Sequence, residues 1–69
     1  MVSTMIDDKK VEMIKDALKK NSKGLTIDEV AEWCRMNRMT ASKYLYYLLG
    51  RGDVEARKVG VAILFYIKK

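Results

Sequence analysis

The sequence predicts a small α+β domain, three helices followed by a β-hairpin, spanning residues 1–69 as a single unit. Three observations predict it. Residues 25–52 hold two short helical signals separated by a polar break too short to be a linker, so the two helices must pack against each other at an angle. An amphipathic stretch precedes them, and two runs rich in β-branched and aromatic residues follow, on either side of Gly60.

The first helix is expected over about 5–21. Thr4 with Asp7 three residues later resembles a capping box, and Val11, Ile14, Ala17 and Leu18 mark one apolar face. Asp7 and Asp8 crowd its start and Lys19 and Lys20 its end, as the helix dipole favours. Asn21 to Gly24 is loop by composition, with a short extra strand expected near Leu25.

The second helix, about 27–34, has the most complete start signal. Thr26 is the N-cap, Glu29 closes a capping box, and Leu25 and Val30 stand at the spacing of a hydrophobic staple. Ile27, Val30, Ala31 and Cys34 make its inner face, where the small Ala31 permits close crossing by another helix. After the break at Arg35 and Met36, Asn37 can cap a third helix over about 38–49. Ala41, Tyr44 or Leu45, and Leu48 recur at helical spacing, leaving Arg38, Ser42, Lys43, Tyr46 and Tyr47 on the other side; Gly50 suits a left-handed C-cap.

The hairpin strands are expected at about 53–58 and 61–67. With Val59-Gly60 as the two-residue turn, Lys58 faces Val61, Ala56 faces Ile63 and Val54 faces Phe65. The core face is then Val54, Ala56, Ile63, Phe65 and Ile67. The opposite face carries Asp53, Glu55 and Arg57 from one strand but Ala62, Leu64 and Tyr66 from the other, an apolar surplus that calls for a covering partner.

Two helices meeting at an angle outline a helix-turn-helix, and the chain from Leu25 to Tyr66 resembles its winged-helix branch. The matching residues are Ile27, Val30 and Ala31 in the second helix, Thr40 and Ala41 early in the third, and Tyr44, Leu45 and Leu48 further along it. That family usually has Gly at the turn, where this chain has Arg35, which implies a different turn geometry. The resemblance implies a DNA-binding domain with the third helix in the major groove and the hairpin as its wing. A helix buried on one face and carrying cations and hydroxyls on the other suits such a groove, since the cations meet phosphates or guanine and the hydroxyls meet phosphate oxygens. The candidate DNA-binding residues are Arg38, Met39, Thr40, Ser42, Lys43, Tyr46 and Tyr47, with Arg57 and Lys58 in the wing. Trp33, Ala62, Leu64 and Tyr66 are candidates for a partner or homodimer contact.

The charge distribution agrees with a polyanionic partner. Residues 1–32 carry six lysines and seven acids, net −1, whereas residues 33–69 carry eight Lys or Arg and two acids, net +6. The half holding the third helix and the hairpin is therefore the basic half. With no His and one Cys, neither the commonest neutral-pH proton carrier nor the usual zinc ligand set can be assembled. We expect no catalytic residues, no metal, no cofactor and no small-molecule ligand. Cys34 reads as a small buried hydrophobe rather than a reactive thiol.

No apolar run approaches the ~20 residues of a membrane span or forms a signal peptide, and a lone Cys fits a reducing compartment; the expected location is cytoplasmic, with no membrane partner. The expected function is sequence-specific binding of double-stranded DNA by a transcription regulator acting as a homodimer. Two other classes fit the same residues: a winged-helix protein–protein interaction module, and the N-terminal DNA-binding piece of a larger regulator.

Overall fold

Local capping decides where the two central helices begin. In the computed structural model, which describes residues 6–68, the Thr26 hydroxyl accepts from the Glu29 amide at 3.2 Å and the Glu29 carboxylate accepts from the Thr26 amide at 2.9 Å. This reciprocal capping box opens α2 (Ile27–Cys34). Asn37 caps α3 (Arg38–Arg51) singly, its side-chain oxygen accepting from the Thr40 amide at 2.8 Å. Before them comes α1 (Asp8–Lys20), capped by Asp7 through the Lys9 amide at 2.8 Å. The helix begins about three residues later than the sequence suggests, because Ile6 and Asp7 are not helical and Asp7, expected inside the helix, is its cap; Thr4 itself lies outside the described residues.

Between α2 and α3 the chain turns through Arg35 at φ 54, ψ 47, in the left-handed region. The turn is thus the left-handed one that glycine adopts readily, made here by arginine, and the different geometry expected from the absent glycine is not needed. The amide of Met36 donates to the Ala31 carbonyl at 2.9 Å, closing the end of α2.

The third helix runs two residues further than its sequence suggests. Gly50 lies inside it, and the left-handed C-cap is Gly52, whose amide donates to the carbonyls of Leu48 and Leu49. Strands β1 (Val54–Val59) and β2 (Ala62–Ile67) follow, paired antiparallel. The turn is Gly60-Val61 rather than Val59-Gly60, so Val59 faces Ala62, Lys58 faces Ile63, Ala56 faces Phe65 and Val54 faces Ile67. Gly60 at φ 62 takes the first central position, where a II′-type turn demands a positive φ, and β-branched Val61 keeps a negative one. The register is displaced by two residues from the expected one, so each side chain stays on its expected face.

Leu25 forms the extra strand as a single bridge. Its amide donates to the Phe65 carbonyl at 2.9 Å and its carbonyl accepts from the Phe65 amide at 2.8 Å. Gly24, just before it, approaches the hairpin closely: a Cβ there would stand 3.1 Å from the Leu64 Cβ.

All five elements feed one core. Ile14, Ala17 and Leu18 come from α1; Val30, Ala31 and Cys34 from α2; Ala41, Tyr44, Leu45 and Leu48 from α3; and Leu25, Val54 and Phe65 complete it. Ala31 and Ala41 are the small residues that let α2 and α3 cross closely. The buried Tyr44 hydroxyl accepts from the Asp7 amide at 2.7 Å, tying the start of α1 to α3. Not all of the expected core face is covered: Val54 and Phe65 are buried and Ile67 packs beside them, whereas Ala56 and Ile63, nearer the hairpin tip, are exposed. The hairpin extends past the end of the core there. No helix among the described residues is long and apolar enough to cross a membrane.

Two outcomes follow from this packing. A left-handed conformation costs a non-glycine residue about 1–2 kcal/mol, part of which glycine returns as unfolded-chain entropy. Arg35→Gly should therefore stabilise the domain by about 1 kcal/mol, read as a rise of roughly 4–8 °C in thermal midpoint. Burial pushes the Cys34 thiol above its ordinary pKa, reinforced by the nearby Asp16 carboxylate. A thiol reagent at pH 8 should modify Cys34 at least about 100-fold more slowly in the native protein than in denaturant.

Candidate nucleic-acid interface

The outward side of α3 is set by what its other side buries. Ala41, Tyr44, Leu45 and Leu48 turn inward, so Met39, Ser42, Lys43 and Tyr46 line up along the outward stripe at spacings of three and four. Met39, at the second position of the helix, is 83% exposed. Lys43 lies with its ammonium 5.3 Å from the Tyr44 ring centroid. Tyr46 is half exposed and meets Phe65 edge-on, ring centroids 5.7 Å apart, so it bridges α3 and the hairpin.

Tyr47 falls off that stripe. It packs against the core, its hydroxyl accepts from Arg51 at 3.1 Å, and the Arg51 guanidinium lies 5.7 Å from its ring centroid. That hydrogen bond, with the Asp53 carboxylate 3.2 Å away, raises the Arg51 pKa further. Thr40 is partly buried beside the Asn37 cap.

Arg38 begins α3 and does not stand alone. Its Nε is 3.0 Å from an Asp28 carboxylate oxygen at the start of α2, with the two side chains 70% and 73% exposed. An exposed pair of this kind is worth about 0–1 kcal/mol, so a phosphate or a guanine could take the guanidinium from Asp28 at little cost.

Two shallow concavities join these groups to the wing tip. One, about 420 Å³, is lined by Ile27, Arg38, Met39, Ser42 and Lys43. The other, about 250 Å³, runs from Ile27, Asp28 and Arg38 to Val61, Ala62 and Ile63. They share Ile27 and Arg38, so the start of α3 and the hairpin tip form one continuous surface. Val61, at the turn, is fully exposed.

The wing cations point to opposite faces. Lys58 shares a sheet face with Ile63 and Phe65, the side on which Tyr46 packs, whereas Arg57 shares the other face with Leu64. The candidate partner residues are also divided. Leu64 and Tyr66 line a groove against the loop after α1, Ala62 lines the concavity beside Asp28, and Trp33 is half exposed on α2 and lines neither.

Sequence reasoning missed Asp28 as a partner of Arg38 and Val61 as the wing tip. The first needed the crossing of α2 over α3, which no local pattern encodes. The second was available in the preference of a II′ turn for glycine at its first central position. Among the described residues no cluster of three or more His, Cys, Asp or Glu is placed to hold a metal ion. No protein-family model matches this chain, and no curated protein matches its sequence.

Proposed function

We propose that this protein binds double-stranded DNA, laying the Met39–Ser42–Lys43–Tyr46 stripe of α3 in the major groove with Arg38 at its leading end and the Lys58 side of the wing against the backbone. The observation that carries this reading is the continuity of that surface: one outward helix stripe, contiguous with a hairpin tip, in the basic half of the chain. An α-helix presented in this way fits the roughly 12 Å width of the major groove. Lys43 and Lys58 supply charge for phosphates, Ser42 a hydroxyl, and Arg38 a planar fork that can meet guanine at two points.

Asp28 enters the mechanism as the group Arg38 must leave. It holds the guanidinium in the absence of DNA and repels the phosphate that replaces it. The pair then works as a weak brake on non-specific binding and leaves full engagement of Arg38 to sites where the guanidinium gains more than it gives up.

Titration of the protein with a short duplex, followed by amide shifts and by anisotropy at several salt concentrations, tests the reading. Three cations on the face imply a slope of log affinity against log salt near −2.7, a loss of about 40-fold between 50 and 200 mM. Shifts should concentrate on Arg38 to Tyr46 and on Lys58 to Val61. Arg38→Ala should cost ~1–3 kcal/mol on a preferred site and blur preference at one base pair. Asp28→Asn should act oppositely, tightening duplex binding about 2–5-fold by removing a pair worth up to ~1 kcal/mol. Affinity indifferent to salt, or shifts absent from α3, would sink the proposal.

A further inference from the structure

We propose that the sheet face turned away from α3 is a docking groove for an acidic amphipathic segment of another protein. Two cavities of about 630 and 320 Å³ share Ser22 and Tyr66 and so form one groove between the end of α1, its following loop and the outer face of the hairpin. Its floor is apolar, made by Val59, Leu64 and Tyr66 on the outer face of the hairpin, with Leu18 and Ile67 at the edge where the sheet meets α1. The floor is also firm, because Gly24 brings the loop backbone tight against Leu64.

Charge complementarity names the occupant. Lys19, Lys23, Arg57 and Lys68 stand exposed around this floor, against the carboxylate of Glu55; Asp53, in the adjoining concavity beside Lys19 and Lys68, is already paired with Lys15 and Arg51. None of the four cations makes an ion pair among the described residues. An apolar floor with an unneutralised basic rim fits a segment with Leu or Phe on one side and Asp or Glu flanking it, the mode of an amphipathic helix laid in a groove. A nucleic-acid backbone fits less well: it would meet the apolar floor and the Glu55 carboxylate where it needs donors. The groove is independent of the duplex-binding proposal. Leu64 and Tyr66 alternate with Phe65, whose ring meets Tyr46 of α3, so both faces can be occupied together.

The test is an amide shift titration of the full chain with a synthetic peptide of roughly 16 residues, apolar at i, i+3, i+4 and i+7 and glutamate-rich elsewhere. Shifts are expected at Lys19, Ser22, Lys23, Glu55, Leu64 and Tyr66, with none at Met39 or Lys43. Lys23→Glu combined with Arg57→Glu, both exposed and outside the core, should weaken binding at least about 10-fold with amide dispersion unchanged. A peptide of the same composition with its apolar stripe scrambled should bind much more weakly. Three results overturn the proposal: no shift in the groove, equal binding of the scrambled peptide, or movement of the same amides on dilution of the protein alone, which would assign the groove to a second copy.

Discussion

The two backbone hydrogen bonds between Leu25 and Phe65, 2.9 and 2.8 Å long, are the constraint on which the rest depends. A two-stranded hairpin is marginal by itself in water. Here β2 gains a neighbour on its free edge, and the residue that accepts it is a fully buried phenylalanine. Burying such a side chain is worth about 1.5–3 kcal/mol, more than a single strand bridge adds. The bridge fixes where that burial occurs, and the burial fixes the angle of the wing to the helices. Because Tyr46 packs edge-on against the same ring, the outward stripe of α3 and the wing are held in one frame.

That frame also divides the chemistry. Alternation along β2 sends Phe65 to the helices and Leu64 and Tyr66 to the other side, so one strand builds two unlike surfaces. On the α3 side Arg38 is already paired to a carboxylate of its own chain. On the far side the cations stand around apolar residues with no such partner. A charge count of the basic half cannot see this difference, because it depends on which carboxylates the fold brings within reach. Asp28, at the start of α2, pairs with Arg38, and Asp53, just past α3, with Arg51 and Lys15; Glu55 lies among the groove cations without an ion pair among the described residues.

How much was legible in the sequence follows from the range of each interaction. Capping by Thr26, Glu29 and Asn37 spans three residues and is written in residue type, so α2 and the start of α3 could be placed from sequence. The inner residues of α3 were legible for the same reason, through their spacing. The hairpin register was displaced by two because the turn had two candidate positions around one glycine; the pleat then preserved the faces despite the slip. Ala56 and Ile63 were misread as core because alternation tells which side a residue faces but not how far the core extends beneath it. The end of α3 was misjudged because Gly50 and Gly52 offer the same freedom, and only the carbonyls of Leu48 and Leu49 choose between them. Tyr47, read as groove-facing, is drawn inward by Arg51 and the core, a preference no helical wheel decides between adjacent tyrosines.

The cation count of the α3 face bears on the form the proposed function takes. Arg38, Lys43 and Lys58 give one copy at most three phosphate contacts, and two where Arg38 meets a guanine, while proteins with strong salt-dependent duplex binding make about 6–10. A single copy would then hold DNA weakly and select poorly. Two copies on half-sites one helical turn apart would double the contacts while leaving each face as it is. Under the duplex-binding proposal, pairing of copies on DNA is thus the arrangement that the electrostatics favour. It also accounts for a brake as slight as the Asp28–Arg38 pair: a cost of up to ~1 kcal/mol per copy is small against a full site and large against a single stray contact.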